Sequence, residues 1–223
     1  MQIDKLKPLG VPDFVIEHFK NQKITKLNPA QIKAVEKGIL KGRNMLVCTP
    51  TGSGKTAIAT FAITKALNEA KGKAVYLVPM KALANEKFKD YKELFKGTEF
   101  EVAISTGDID SSSEWLSRYD LLILTVEKMD SLIRHHCSWL PDVSVVIIDE
   151  IHLLNDPGRG PTLEILITIL KKLLKNVQLI ALSATIGNPK ELSLWLKAEL
   201  VVDDWRPVKL KKGIYLDGKV EFE

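Results

Sequence analysis

Two short stretches of this chain hold residue types whose spacing could do chemistry. Thr51-Gly52-Ser53-Gly54-Lys55-Thr56 matches the end of the P-loop pattern, although Thr49 stands where that pattern has its first glycine. Glycines in such a loop let backbone N–H groups close around phosphate oxygens, and a helix opening behind it adds positive potential. Lys55 would then reach the β- and γ-phosphates, and the Thr56 hydroxyl would sit on Mg²⁺. The second stretch is Val145-Val146-Ile147-Ile148-Asp149-Glu150, an apolar run ending in two carboxylates. Asp149 would hold the Mg²⁺ through its water shell, and Glu150 would polarise an attacking water, a role typically worth ~10²–10⁴ in rate. Acids after a strand also serve as helix-start charges; a P-loop upstream favours the catalytic reading.

These residues need elements to position them, and hydrophobic periodicity supplies a series. Short, mostly unalternating apolar runs lie at Met45–Cys48, Val75–Val78, Val102–Ile104, Leu121–Leu124, Val143–Ile148 and Leu179–Leu182, as expected of strands buried on both faces. Amphipathic stretches over about 57–70, 81–95, 127–136, 162–175 and 189–197 read as helices between them. The alternation predicts an α/β fold, a mainly parallel central sheet with helices on both faces. The P-loop would follow the first strand and open the first crossover helix. Asp149 and Glu150 would stand at the same carboxyl edge, where open parallel sheets bind ligands.

Residues 1–42 contain no buried-strand run and read as helices and turns ahead of the sheet, 43–200 as the nucleotide-binding unit. Residues 201–223 read as the end of a short strand (Leu200–Val202), a break at Trp205-Arg206-Pro207 and a hairpin turning at Asp217-Gly218. The chain stops just past that hairpin, which reads as a cut within a longer protein.

Composition narrows the class. The chain has 223 residues, 45% hydrophobic and 27% charged, which excludes a disordered polymer. No apolar run approaches the ~18 residues of a membrane span. Cys48 and Cys137 alone make no disulfide framework, so a cytoplasmic setting is expected. Net charge is +4, unevenly spread: residues 1–100 carry 18 Lys+Arg against 9 Asp+Glu, and residues 101–223 carry 14 against 19. A basic first half suits an anionic ligand, phosphate chain or nucleic acid, though solvated lysines on helix faces give the same count.

Asp149-Glu150-Ile151-His152 after the P-loop, with Ser183-Ala184-Thr185 ending the next strand, resembles the first motor domain of a superfamily 2 DExH-box helicase. Pro79-Met80-Lys81-Ala82-Leu83-Ala84, Thr106-Gly107-Asp108, Thr125-Val126-Glu127-Lys128-Met129-Asp130 and Arg159-Gly160-Pro161 resemble the Ski2-like group. Asp204-Trp205-Arg206-Pro207-Val208 is similar to archaeal DNA helicases of the Hjm type. The motifs run in the family's order from about residue 24 onward. Val126 departs from the proline usual in relatives.

The resemblance implies a RecA-like P-loop NTPase lobe using ATP and Mg²⁺. It implies that Gln31 reads adenine, that His152, Ser183 and Thr185 couple phosphate state to nucleic-acid grip, and that Lys81, Ala82, Leu83, Thr106, Gly107, Thr125 and Lys128 hold the backbone of one strand. Structural alternatives stand beside these roles. Asn28-Pro29-Ala30-Gln31 is a good capping box, Ser183 or Thr185 could cap the helix near 189–197, and Thr125 could cap its own helix. The implied whole is a 3′–5′ DNA helicase, monomer favoured, acting on single-stranded and forked or branched DNA at the nucleoid. An RNA helicase of the same group and a nucleotide-switched binding module are the alternatives. The lobe alone, lacking the second RecA-like domain and its arginines, is expected to bind ATP and hardly hydrolyse it. His135-His136-Cys137 lacks a second cluster to complete a metal site, and the scattered aromatics form no stacking platform.

Overall fold

The computed structural model describes residues 1–70, 72–107, 113–208 and 213–222. Its centre is a seven-stranded parallel sheet of β1 (Met45–Cys48), β2 (Lys73–Val78), β3 (Val102–Ser105), β4 (Leu121–Thr125), β5 (Val143–Ile148), β6 (Gln178–Ser183) and β7 (Glu199–Val202). The spatial order is β3-β4-β2-β5-β6-β1-β7. The helices are α1 (Asp13–Asn21), α2 (Pro29–Glu36), α3 (Lys55–Ala70), α4 (Lys81–Leu94), α5 (Val126–Arg134), α6 (Gly160–Leu173) and α7 (Pro189–Leu196).

The unalternating strand sequences follow from burial on both faces. Met45 and Val47 of β1 enter one core with Tyr76, Ile123 and Ile147, while Leu46 and Cys48 enter the other with Leu77, Leu124 and Ile148. Helices α1 to α4 cover the first core and α5, α6 and α7 the second. Ile3, Leu6, Val15, Ile16 and Phe19 pack into the first core, so the N-terminal segment is integral to this unit. The final short strand lies inside the sheet as its edge, with Val47 level with Val201.

Beyond β7 the chain forms the antiparallel hairpin β8 (Gly213–Leu216) and β9 (Lys219–Phe222). Asp217 and Gly218 both take positive φ, the backbone of a two-residue hairpin turn. Ile214, Tyr215, Leu216, Val220 and Phe222 of this hairpin are exposed.

Among the described residues, no helix is long and apolar enough to cross a membrane.

Candidate nucleotide and nucleic-acid site

The strand order divides the carboxyl edge of the sheet into two halves. On one half, β5, β6 and β1 end at Asp149-Glu150, Ser183 and the loop 49–54. On the other half, β3, β4 and β2 end beside one another at Thr106-Gly107, Thr125 and Pro79-Met80-Lys81.

The loop between β1 and α3 is tied down at its base. Thr49 N–H donates to the Ser183 carbonyl (3.2 Å), and the buried Thr49 and Ser53 hydroxyls share a hydrogen bond of 2.7 Å. Thr51 and Gly52 are exposed at the crown. Gly54 has φ +80°, and a β-carbon there would stand 2.7 Å from Gln31 Nε2. The backbone conformation therefore calls for glycine, and a side chain there would also displace the Gln31 amide. Lys55 Nζ donates to the carbonyls of Thr49 (3.0 Å) and Pro50 (3.2 Å), folded back over its own loop. Burial lowers the Lys55 pKa from its ordinary value, with Glu150 and Asp149 opposing the shift from across the cleft.

Asp149 is 9% exposed, and each carboxylate oxygen has a donor. Tyr76 hydroxyl donates to Oδ2 (2.9 Å) and Glu150 N–H donates to Oδ1 (3.0 Å). Glu150 sits in left-handed backbone, φ 53°, uncommon for a residue with a side chain. Its Oε2 is 3.3 Å from His152 Nδ1. Ser183 is fully buried, facing the Cys48 thiol. Thr185 is exposed on the loop that follows. Neither caps α7, whose N-cap is Asn188.

The capping box at Asn28 forms as the sequence suggests, and it also meets the loop. Gln31 Oε1 accepts from Asn28 N–H (3.0 Å) and its Nε2 donates to the Gly54 carbonyl (3.3 Å). Asn28 Nδ2 donates to the Ser53 carbonyl at 2.8 Å. A primary amide has two acceptor lone pairs and two donor hydrogens, so Gln31 keeps one of each. Beside it, a cavity of about 430 Å³ is lined by Phe19, Ile24, Gly54, Thr56 and Thr60 among others.

Lys81 and Ala82 are exposed on the first turn of α4, and Leu83 is half-buried. Thr106 and Gly107 are half-buried after β3; Asp108 lies outside the described residues. Thr125 does cap α5, accepting from Lys128 N–H at 3.3 Å. Lys128 is only 5% exposed, so little of it faces solvent.

Two residues at the site carry no motif signal. Tyr76 reads from sequence as one more buried strand residue. Lys87, 6% exposed, places Nζ 3.5 Å from Thr56 Oγ1 and 2.9 Å from Glu86 Oε1. The Lys87–Thr56 and Tyr76–Asp149 contacts are not visible locally, because they depend on how α4 and β2 pack against distant elements.

The residues fit Mg²⁺ by donor chemistry. Thr56 hydroxyl and Asp149 carboxylate are hard oxygen donors on one cleft, the ligand type Mg²⁺ takes alongside water and phosphate. Among the described residues no group of three or more His, Cys, Asp or Glu could hold a metal ion by itself.

Residues 28–192 match the DEAD/DEAH box helicase family. The chain is 50% identical over 219 residues to ATP-dependent DNA helicase Hel308 of Pyrococcus horikoshii, covering 98% of this chain and 30% of that protein. It is 51% identical over 216 residues to Hel308 of Methanocaldococcus jannaschii, covering 94% of this chain and 18% of the relative. The crystal structure of the DUF1998 helicase MrfA bound to DNA superposes with a TM-score of 0.76 at 24% identity, over 87% of this chain and 30% of that one, which establishes the shared RecA-like fold. The chain thus spans under a third of these relatives, and it belongs to the DEAD/DEAH box helicase family.

Proposed function

We propose that this chain is the first ATP-binding motor lobe of an ATP-dependent 3′–5′ DNA helicase, working in the cytoplasm at the nucleoid on forked or branched DNA. The observation that carries the reading is Lys55 and Thr56 facing Asp149 and Glu150 across β6, on one edge of one sheet. The named relatives favour DNA as the track.

ATP enters with its phosphates over the loop 49–54, where backbone N–H groups and the α3 N-terminus receive them. Lys55 leaves the Thr49 and Pro50 carbonyls for the β- and γ-phosphates, exchanging neutral partners for charged ones. The lone pair and hydrogen left on Gln31 match the N6 donor and N7 acceptor of adenine, and the adjoining cavity has room for the base. Thr56 directly and Asp149 through water would hold Mg²⁺, which when bound offsets phosphate charge. Glu150 takes a proton from the attacking water; the water oxygen bonds to the γ-phosphorus, the β–γ bridging bond breaks, and ADP and phosphate result. His152, beside Glu150, with Ser183 and Thr185 at the end of β6 between the Asp149-Glu150 strand and the P-loop strand, would report phosphate state.

On the other half, Lys81, Ala82, Leu83, Thr106, Gly107, Thr125 and Lys128 would track one strand's phosphates, with Lys81 the most exposed cation. A second RecA-like lobe would add the arginines whose loss costs ~10³–10⁵ in turnover where measured.

The test is ATP binding and hydrolysis by this chain with and without single-stranded DNA or RNA. Micromolar binding with negligible turnover is expected, DNA and RNA alike leaving turnover low. DNA-stimulated turnover would overturn the need for a second lobe, and absence of nucleotide binding would overturn the reading altogether.

A further inference from the structure

The two halves of the sheet edge meet where β2 lies beside β5, with Tyr76 level with Ile147 and Leu77 level with Ile148. A side-chain hydrogen bond crosses that seam toward the nucleotide, Tyr76 hydroxyl to Asp149 Oδ2 at 2.9 Å, and the same hydroxyl also interacts with Thr56. Tyr76 is 0% exposed. Its ring packs on Tyr91 of α4 with centroids 5.8 Å apart, and the Tyr91 hydroxyl lies 3.2 Å from Thr60 Oγ1 on α3. Thr60 in turn donates to the Thr56 carbonyl at 2.9 Å. The phenol is thus walled by the helix that bears Thr56 and by the helix that starts at Lys81.

We propose that Tyr76 is a positioning residue for Mg²⁺-dependent nucleotide binding: by holding Oδ2, its hydroxyl fixes the orientation of the Asp149 carboxylate at the strand end. This rests on the ATP-site reading above. The physical reason is orientational. An aspartate at a strand end turns about its terminal torsion through a broad range, and a carboxylate that must meet a metal's water shell has to be held in one orientation. Glu150 N–H holds Oδ1 from the backbone side, and among the described residues Tyr76 is the side chain that holds Oδ2. A phenylalanine keeps the ring and removes the constraint. β2 leads within three residues of Tyr76 into Pro79-Met80-Lys81, so the same strand that carries a candidate nucleic-acid loop holds the carboxylate.

The experiment is fluorescence titration of this chain with a labelled ATP analogue, with Mg²⁺ and with EDTA. In Tyr76→Phe the tightening produced by Mg²⁺ falls by roughly tenfold, as expected for a lost hydrogen bond to a charged group, while affinity in EDTA is unchanged. Tyr91→Phe, which loses a buried hydroxyl bonded to no carboxylate, keeps the Mg²⁺ effect within about twofold. Equal Mg²⁺ effects in wild type and Tyr76→Phe, or equal losses in Tyr76→Phe and Tyr91→Phe, overturn the inference and leave the ATP site standing. Wild type that binds no nucleotide overturns the ATP site and this inference with it. If Tyr76→Phe does not fold, fluorine NMR of the chain labelled with 3-fluorotyrosine reads the same bond. Of its four tyrosine signals, assigned by replacing the other three, Tyr76 must move when Mg²⁺ is added to the ATP complex. An unmoved Tyr76 signal overturns the inference.

Discussion

Gly160, the first residue of α6, lies so close to the Leu154 carbonyl that a β-carbon on it would stand 2.2 Å from that oxygen. Its N–H also donates to the Asp156 carbonyl at 2.8 Å. The turn from Ile151 to Asn155, which carries His152, is thereby clamped between the Asp149-Glu150 strand end and the N-terminus of α6. Neither backbone can yield cheaply, because Ile151 on one side and Leu163 and Leu166 on the other are buried in one core. Gly160→Ala should destabilise the fold by about 1–3 kcal/mol, the usual range for overpacking. Urea unfolding read by circular dichroism measures it; a midpoint equal to wild type would contradict the clamp.

Lys55→Ala removes the side chain that spans from the loop carbonyls to the phosphates. ATP affinity in this chain should fall by at least about tenfold, since one charge-assisted contact to phosphate is lost. Isothermal titration with ATP and Mg²⁺ decides it. Glu150→Gln should leave ATP affinity near wild type in this chain and stop turnover in the full-length protein. Retained turnover would remove Glu150 from its role as base.

The motifs and the strands were legible because they are local. A run such as Val143–Ile148 has only one cheap fate, a strand with both faces covered, and the structure contains it with those bounds. The P-loop declares itself through Gly54-Lys55-Thr56, and the capping box through Asn28 and Gln31. What was not legible depends on which strands become neighbours. Tyr76 sits in the apolar run Val75–Val78 and acquires its polar partner only because β5, about 70 residues onward, pairs with β2. Lys87 resembles any helix-surface lysine until α4 packs against α3. Thr125 was legible in both senses, as a cap and as a loop residue, and the hydrogen bond to Lys128 N–H establishes the first.

The two thiols should differ in reactivity. Burial pushes Cys48 up to about 11, with Lys55 and Ser183 opposing it weakly, and the residue is 2% exposed. Burial also raises Cys137, which is only partly covered at the end of α5. Iodoacetamide at pH 8 should label Cys137 slowly and Cys48 only after denaturant is added, as read by peptide mass spectrometry. Native labelling of Cys48 as fast as Cys137 would mean that the β1 end opens on the labelling timescale.

Stability should fall with acid through one identifiable pair among others. Lys33 of α2 meets Asp203, just past β7, at 2.7 Å, and Asp203 also accepts from Trp205 N–H at 2.8 Å. Burial alone would raise the Asp203 pKa, but the bonds from Lys33 and Trp205 outweigh it, and the carboxyl lies below its ordinary 3.8. A carboxyl depressed by folding contributes stability that is complete above its unfolded pKa and is lost as pH falls through the folded value. Lys33 is 47% exposed, so screening limits the pair to about 0.2–1 kcal/mol. Asp203→Asn keeps an oxygen for Trp205 N–H while removing the charge. Its deficit against wild type in urea should therefore be present at pH 6 and shrink toward zero near pH 3. A deficit that persists undiminished at pH 3 would assign the loss to packing at the β7 end and not to the ion pair.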